Sequence, residues 1–325
     1  MQLRCRIFVG ATRRRRIDRH SLAVSILGCL IVVGLPVRSA AEPQSVTQAL
    51  AVPDKAIEQR VLEAVHELYG GTSEVRDYAP LTEPFKAASR WALVATKETD
   101  LQDQVIVDPN PVTICFVHND APNCSEKMLF PISDGIADDR GRLFHNFLEA
   151  RIVYATADRT SPLLLLKACS WAGGNGNCGI YTFLFAYDRA RDQFHLVFHD
   201  IVPRNNNGTT RFVETGPLLG DVVSATNTNS APYGYFVSVY RRDTAGRYAQ
   251  ILRYRSKTHY NDGNRLSAVD SDMPEILLRL GLWKSGDPLP IPFVRPDNCT
   301  KLSLIKGEEW CRNPQAHEPA AGQAP

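Results

Sequence analysis

His195, His199 and Asp200 stand together in Phe194-His-Leu-Val-Phe-His-Asp200, which makes this segment the first place to look for chemistry. On a helix, histidines four positions apart can share a metal ion. The apolar alternation around them reads as a strand, where that spacing separates the side chains by about 13 Å, too far for one ion. No metal ligand set is therefore expected. His199-Asp200 remains a candidate acid-base pair, because Asn205, Asn206 and Asn207 follow closely and make this the most polar strand end in the chain. Carboxylates in Asp134, Asp138 and Asp139, and in Asp270, Asp272 and Glu275, lack the spacing of a calcium loop. Two such groups could serve as acid and base on a glycosidic bond only if folding brings them together. Serine chemistry has no G-x-S-x-G to rest on, and Ser303-Leu-Ile-Lys306 is a short pattern close to a cysteine-bound terminus.

Binding chemistry has more candidates. Tyr233, Tyr235, Phe236 and Tyr240 cluster in one segment, with Trp171 and Tyr181 in another. Flat rings bury large apolar area at small entropic cost, so Tyr233, Tyr235 and Trp171, with Asn205 nearby, are candidate ligand contacts. The same rings would fill a core if they alternate inward. Gly173-Gly-Asn-Gly-Asn-Cys-Gly179 is rich enough in glycine to wrap a phosphate, but it leads into a strand and lacks lysine. It reads as the wide turn of a hairpin. Asn123, Asn207 and Asn298 fit the N-glycosylation triplet. No cofactor is expected.

The elements that must position these groups are mostly strands. Asp54 caps a helix over Lys55–Tyr69, with Ile57, Val61, Ala64 and Leu68 on one face and Gly70-Gly71 as its stop. From Trp91 onward, short runs rich in Val, Ile, Phe and Tyr alternate with Gly, Pro, Asn and Asp clusters. These runs are Trp91–Thr96, Gln104–Val107, Val112–Val117, Ala150–Thr156, Leu163–Cys169, Gly179–Tyr187, Gln193–His199, Arg211–Glu214, Val222–Thr226, Gly234–Tyr240 and Tyr248–Arg255. Turns at 188–193 and 243–247 make two hairpins, and the runs around them suggest two four-stranded meanders. The expected fold is mainly β: antiparallel meanders arranged as a propeller-like stack, a sandwich or an open barrel. A short second helix begins at Asp272, with Glu275 completing a capping box, and stops at Gly281. Residues 284–298 form a proline-rich strap, and 313–325 a disordered tail.

The front of the chain reads as an export address. Arg13 to Arg16 precede an apolar run from Leu22 to Leu35, and Ser39 and Ala41 have the small-residue spacing of a signal peptidase site. The organisation is then 1–41 signal peptide, 42–90 lead and amphipathic helix, 91–312 disulfide-clipped β domain and 313–325 tail. A retained anchor is the alternative, although the apolar run is short for a membrane span. Residues 1–41 hold eight of the 37 lysines and arginines but one of the 35 acids, leaving 29 basic against 34 acidic groups in the remainder. A mildly acidic body argues against nucleic acid or anionic membrane as a partner.

Six cysteines follow Ala41: Cys115, Cys124, Cys169, Cys178, Cys299 and Cys311. Their order suggests three local pairs, and their spacings are too wide for a zinc site. Disulfides need the oxidising compartment that the address supplies. Taken together, the residues point to an exported non-enzymatic binding module of the cell envelope or extracellular space, with a glycan, peptide or envelope protein as partner. The alternative is an extracytoplasmic hydrolase using carboxylates or His199-Asp200. Mass spectrometry of the exported, non-reduced protein is expected to find three intramolecular bridges; free thiols at Cys115 or Cys169 would refute the pairing.

Overall fold

The computed structural model describes residues 54–99, 111–130, 141–171, 178–203, 208–228, 233–258, 267–287, 301–305 and 308–312. The chain is mainly β and antiparallel. Helix α1 (Lys55–Tyr69) is followed by β1 (Ser73–Pro80), the one-turn α2 (Thr82–Phe85), β2 (Trp91–Glu98), β3 (Val112–His118), β4 (Ala121–Asn123) and the one-turn α3 (Glu126–Leu129). Four long strands come next: β5 (Phe144–Tyr154), β6 (Pro162–Trp171), β7 (Cys178–Asp188) and β8 (Gln193–Pro203). Then come β9 (Thr209–Phe212), β10 (Val222–Asn227), β11 (Tyr235–Arg242), β12 (Tyr248–Arg255), α4 (Ala268–Arg279) and a hairpin of β13 (Lys301–Ile305) and β14 (Glu308–Arg312).

The first sheet has the order β1-β2-β3-β5-β6-β7-β8, with β4 paired to β3 outside that path. The join between β3 and β5 is a single residue pair, Val112 with Phe144. So weak a seam lets the sheet fold over on itself. Leu93, Ala95, Ile114 and Phe116 of β2 and β3 then share a core with Leu164, Leu166, Tyr181, Phe183 and Phe185 of β6 and β7. Strand alternation sends the remaining residues to the opposite faces. Ala92, Val94, Cys115 and Val117 pack against Ile57, Val61 and Val65 of α1. Leu163, Leu165, Leu184, Ala186 and Phe198 pack against Phe212 and Val222 of the second sheet, whose order is β12-β11-β10-β9. That sheet's other face carries Val223, Ala225, Val237 and Val239, covered by Val269, Ile276 and Leu277 of α4.

The two expected meanders are thus β5–β8 and β9–β12, stacked face to face, with β1–β3 as a third set ahead of them. Two of the expected cysteine pairs are formed, Cys115–Cys124 and Cys169–Cys178. The partner proposed for Cys311, Cys299, lies outside the described residues. So do the Gln104–Val107 run, residues 1–53, the glycine-rich turn 172–177 and the 313–325 tail.

Several expectations need correction. Helix α1 is capped by Asp54, whose Oδ1 accepts from the Ala56 amide at 3.1 Å. Its buried ridge, however, is Ile57, Val61 and Val65, while Leu68 stays 50% exposed. The i, i+4 ridge makes the contact with the sheet. Residues 73–80, taken as part of the lead, form edge strand β1; their charged alternation suits a strand with one face in water and hid them from an apolar search. Helix α4 begins five positions earlier than the expected cap at Asp272 implies. Ser267 is its N-cap, accepting from the Asp270 amide at 3.1 Å, and Pro274 sits inside the helix. Asp272 is no cap. It is a 4%-exposed carboxylate that accepts from Tyr254, Ser256 and Thr258 hydroxyls at 2.8, 2.7 and 2.6 Å. Burial and this carboxylate together push the Tyr254 hydroxyl far above its usual range. Gly281 does end the helix: it has φ +68°, and the Leu282 and Gly281 amides return to the Leu277 and Leu278 carbonyls at 2.8 and 3.0 Å.

The two sheets approach each other closely at Gly220. Its φ is +84°, and a Cβ there would lie 2.3 Å from the Ala155 carbonyl oxygen in the β5–β6 turn. The Tyr248 hydroxyl also donates to the Gly220 carbonyl at 2.8 Å. Gly220→Ala is expected to destabilise the protein by about 3 kcal/mol, combining left-handed strain and overpacking. A lower urea midpoint with an unchanged slope would show it.

Candidate functional site

Folding the first sheet over itself brings the tips of two hairpins together. One is the β3–β4 turn, where Asn119 and Asp120 both take positive φ, as a two-residue turn between antiparallel strands requires. The other is the β7–β8 turn. There Asp188 Oδ1 accepts from the Ala190 and Arg191 amides at 2.9 and 3.3 Å, and Asp192 takes φ +51°. Arg90 ties the first turn to the start of β2 through an ion pair with Asp120 at 3.1 Å.

Asp192 is the hub of the site. Its Oδ1 accepts from the Trp91 indole N–H at 2.9 Å and from the Tyr187 hydroxyl at 2.6 Å. Its Oδ2 accepts from the Ser89 hydroxyl and lies 3.0 Å from His118 Nε2. Tyr187 in turn accepts from the Ala88 amide at 2.8 Å. His118 stacks on Trp91 with ring centroids 4.2 Å apart and planes within 12°. Hydrogen bonds from Ser89, Tyr187, Trp91 and His118, the first the largest, hold the Asp192 carboxyl well below the usual carboxylate range. Burial, followed by the hydrogen bond to Asp192, raises the Tyr187 hydroxyl.

Serine, histidine and aspartate in contact invite comparison with a nucleophilic relay. The wiring is different. A relay uses the two ring nitrogens separately, one toward the serine and the other toward the carboxylate. Here Ser89 Oγ, at 2.6 Å, and Asp192 both meet His118 Nε2, and the serine hydroxyl also donates directly to Asp192. The serine hydroxyl is thus held by the carboxylate as well as by the imidazole. What this arrangement supplies is a clamp between chain positions far apart in sequence.

Beside the clamp lies a cleft of about 570 Å³. Its floor is apolar, from Trp91, Phe116, Leu129, Phe185, Phe194 and Leu196; its rim carries His118, Asn123, Gln193 and His195. Cavities of this size accommodate ligands, and a mainly apolar floor with a few polar groups fits that use.

The groups singled out from sequence are dispersed. His195 reaches the cleft rim, whereas His199 and Asp200 lie farther along β8 and, as strand neighbours, point to opposite faces. His199 is exposed opposite Phe183. Asp200 faces the second sheet, where it accepts from Thr210 Oγ1 at 2.6 Å. It ends a cross-strand row of Glu149, Lys167, Thr182 and Asp200, which meets a second row of Thr210, Ser224, Ser238 and Arg253. Tyr235 is 2% exposed and belongs to the core, as does Tyr181 at 1%; Tyr233 is 57% exposed. Trp171 ends β6. Asn205, Asp134, Asp138 and Asp139 lie outside the described residues. Among the described residues, no three His, Cys, Asp or Glu side chains converge to hold a metal ion. Ser89, His118 and Asp192 were not singled out from the sequence, because separations of 29 and 74 positions leave no local pattern.

No known protein family matches this chain, nor does any curated protein with which it was compared.

Asp192 sets a pH dependence with a definite sign. Its folded pKa is depressed, so its stabilising contribution is complete above the ordinary carboxylate range and is lost as pH falls below it. Asp192→Asn is expected to lower stability at pH 7 and to flatten the acid limb of a stability-versus-pH curve measured by urea unfolding. Parallel curves for the two proteins would contradict the clamp.

Proposed function

We propose that this protein is an exported, non-enzymatic binding module of the cell envelope or extracellular space, and that its ligand occupies the cleft beside Asp192. The cleft itself carries the reading: an apolar floor with a polar rim, held open by a carboxylate whose two oxygens are engaged by four neighbouring groups. Such a site offers contact area and hydrogen bonds but no poised acid, base or nucleophile. Export is supported by the basic and apolar runs at Arg13–Arg16 and Leu22–Leu35 and by the disulfides Cys115–Cys124 and Cys169–Cys178. Among the described residues, no helix is long and apolar enough to cross a membrane.

The test is a ligand screen of the oxidised protein with glycans, peptides and esters, read by isothermal calorimetry and by product analysis. Binding is expected without turnover. Leu196→Asp and His195→Glu should each weaken it at least tenfold, His195→Glu at an exposed position that leaves packing intact. Sustained hydrolysis of an ester or glycoside would overturn the reading in favour of an extracytoplasmic hydrolase.

A further inference from the structure

The residues lining the cleft come in runs. Gln193, Phe194, His195 and Leu196 are consecutive on β8, and Ala121, Pro122 and Asn123 are consecutive on β4. Side chains of a strand alternate between faces, so a cleft lined by four neighbours in a row runs along the strand's edge rather than across its face. The pairing agrees. Over this stretch β8 pairs with β7 alone, from Asp188 opposite Gln193 to Phe185 opposite Leu196. β4 pairs with β3 alone. Among the described residues, both strands therefore turn an unpartnered backbone edge toward the same space.

The two edges differ. β4 has three residues, and Pro122 at its centre has no N–H to offer. The β8 edge has four residues before the bulge at Val197, where the register slips between Leu184 and Phe185. Exposed edges are ordinarily blunted by lysine, proline or an inward charge. Gln193-Phe-His-Leu196 has none of these. The segment also starts immediately after Asp192, so the clamp fixes it in place before any ligand arrives.

The chemistry of the occupant follows from the walls. Among the described residues, no Asp, Glu, Lys or Arg lines the cleft, which suits an uncharged ligand. A sugar would need an open aromatic face. Trp91 is 9% exposed with His118 stacked on it, and Phe116 and Phe185 are 4% and 3% exposed. What remains available is a backbone edge above the partly exposed Phe194 and Leu196, the recognition surface of an extended peptide. We propose that the cleft captures an extended, uncharged peptide segment by strand addition to the free edge of β8, with an apolar side chain seated on Phe194 and Leu196. This rests on the binding-module reading above and names its ligand class.

The probes are acetylated and amidated hexapeptides alternating Val or Phe with Thr, added to the oxidised protein. Binding is expected to slow amide hydrogen exchange across Gln193–Leu196 at least tenfold. Methylating alternate peptide backbone nitrogens should weaken binding at least tenfold in one of the two registers. His195→Lys, which puts a charge on the edge at an exposed position, should weaken it while leaving the unfolding midpoint unchanged. Hexapeptide binding at the cleft without exchange protection, or binding indifferent to methylation in both registers, would overturn strand addition. Self-association through this edge, seen by sedimentation and abolished by His195→Lys, would also overturn it in favour of a second copy. If hexapeptides fail while another ligand from the screen binds at the cleft, the peptide class falls and the binding module stands. If nothing binds there, both fall.

Discussion

One carboxylate holds together two hairpin tips that lie far apart in the sequence. Asp192 sits in a left-handed turn, a conformation that disfavours most side chains, and it is kept ionised against partial burial. Four neighbouring polar groups offset those costs, and they come from the segment before β2, the start of β2, the end of β3 and the end of β7. Hydrogen bonds to an ionised acceptor are stronger than neutral ones, and in a partly dry site they reinforce one another. The first sheet has a one-pair seam between β3 and β5, so its two halves could splay apart at this end. The clamp opposes that motion. Among the described residues, the hairpin tips are fused on one side of the cleft while the strand edges beside them stay unpaired.

The same economy of faces organises the rest of the protein. Strands β2, β3 and β5 to β8 of the first sheet each serve two cores by alternation: inward to the folded sheet and outward to α1 or to the second sheet. Apolar packing gives cohesion but little positional specificity, and polar contacts supply the latter. Asp200 with Thr210 aligns two cross-strand rows between sheets. Asp272 with three hydroxyls anchors α4 to β12 and the residues after it, and Arg211 with Asp270 ties β9 to the same helix. Asp272 and Asp270 are each satisfied by several donors, the condition under which burying a carboxylate is tolerable. The two disulfides close local loops of the chain, which limits the freedom of its unfolded state.

These details explain what was legible beforehand. Strands β6, β7, β10 and β11 announced themselves, because both of their faces are covered or half covered and their sequences carry apolar alternation between strong turn residues. Strand β1 did not, since an edge strand with one wet face tolerates Glu74, Arg76 and Asp77. The start of α4 was missed because Asp272 looks like a cap by type and spacing. Only the presence of Tyr254, Ser256 and Thr258 around it reveals a buried acceptor. Ring alternation at Tyr181, Phe183 and Phe185 was visible, but which side of the sheet faces water was not.

Residue order alone determined the local terms: periodicity, turn chemistry, the caps at Asp54 and Gly281, and the pairing of cysteines close enough to meet without help from the fold. These depend on interactions spanning a few residues, so they can be read from neighbours. The tertiary structure alone decided the site. Ser89, His118 and Asp192 belong to three separate segments, and the edges of β4 and β8 face one another only after the sheet has folded across its weak seam. Long-range contacts of this kind are set by how whole faces pack, a collective property that individual residue types do not encode.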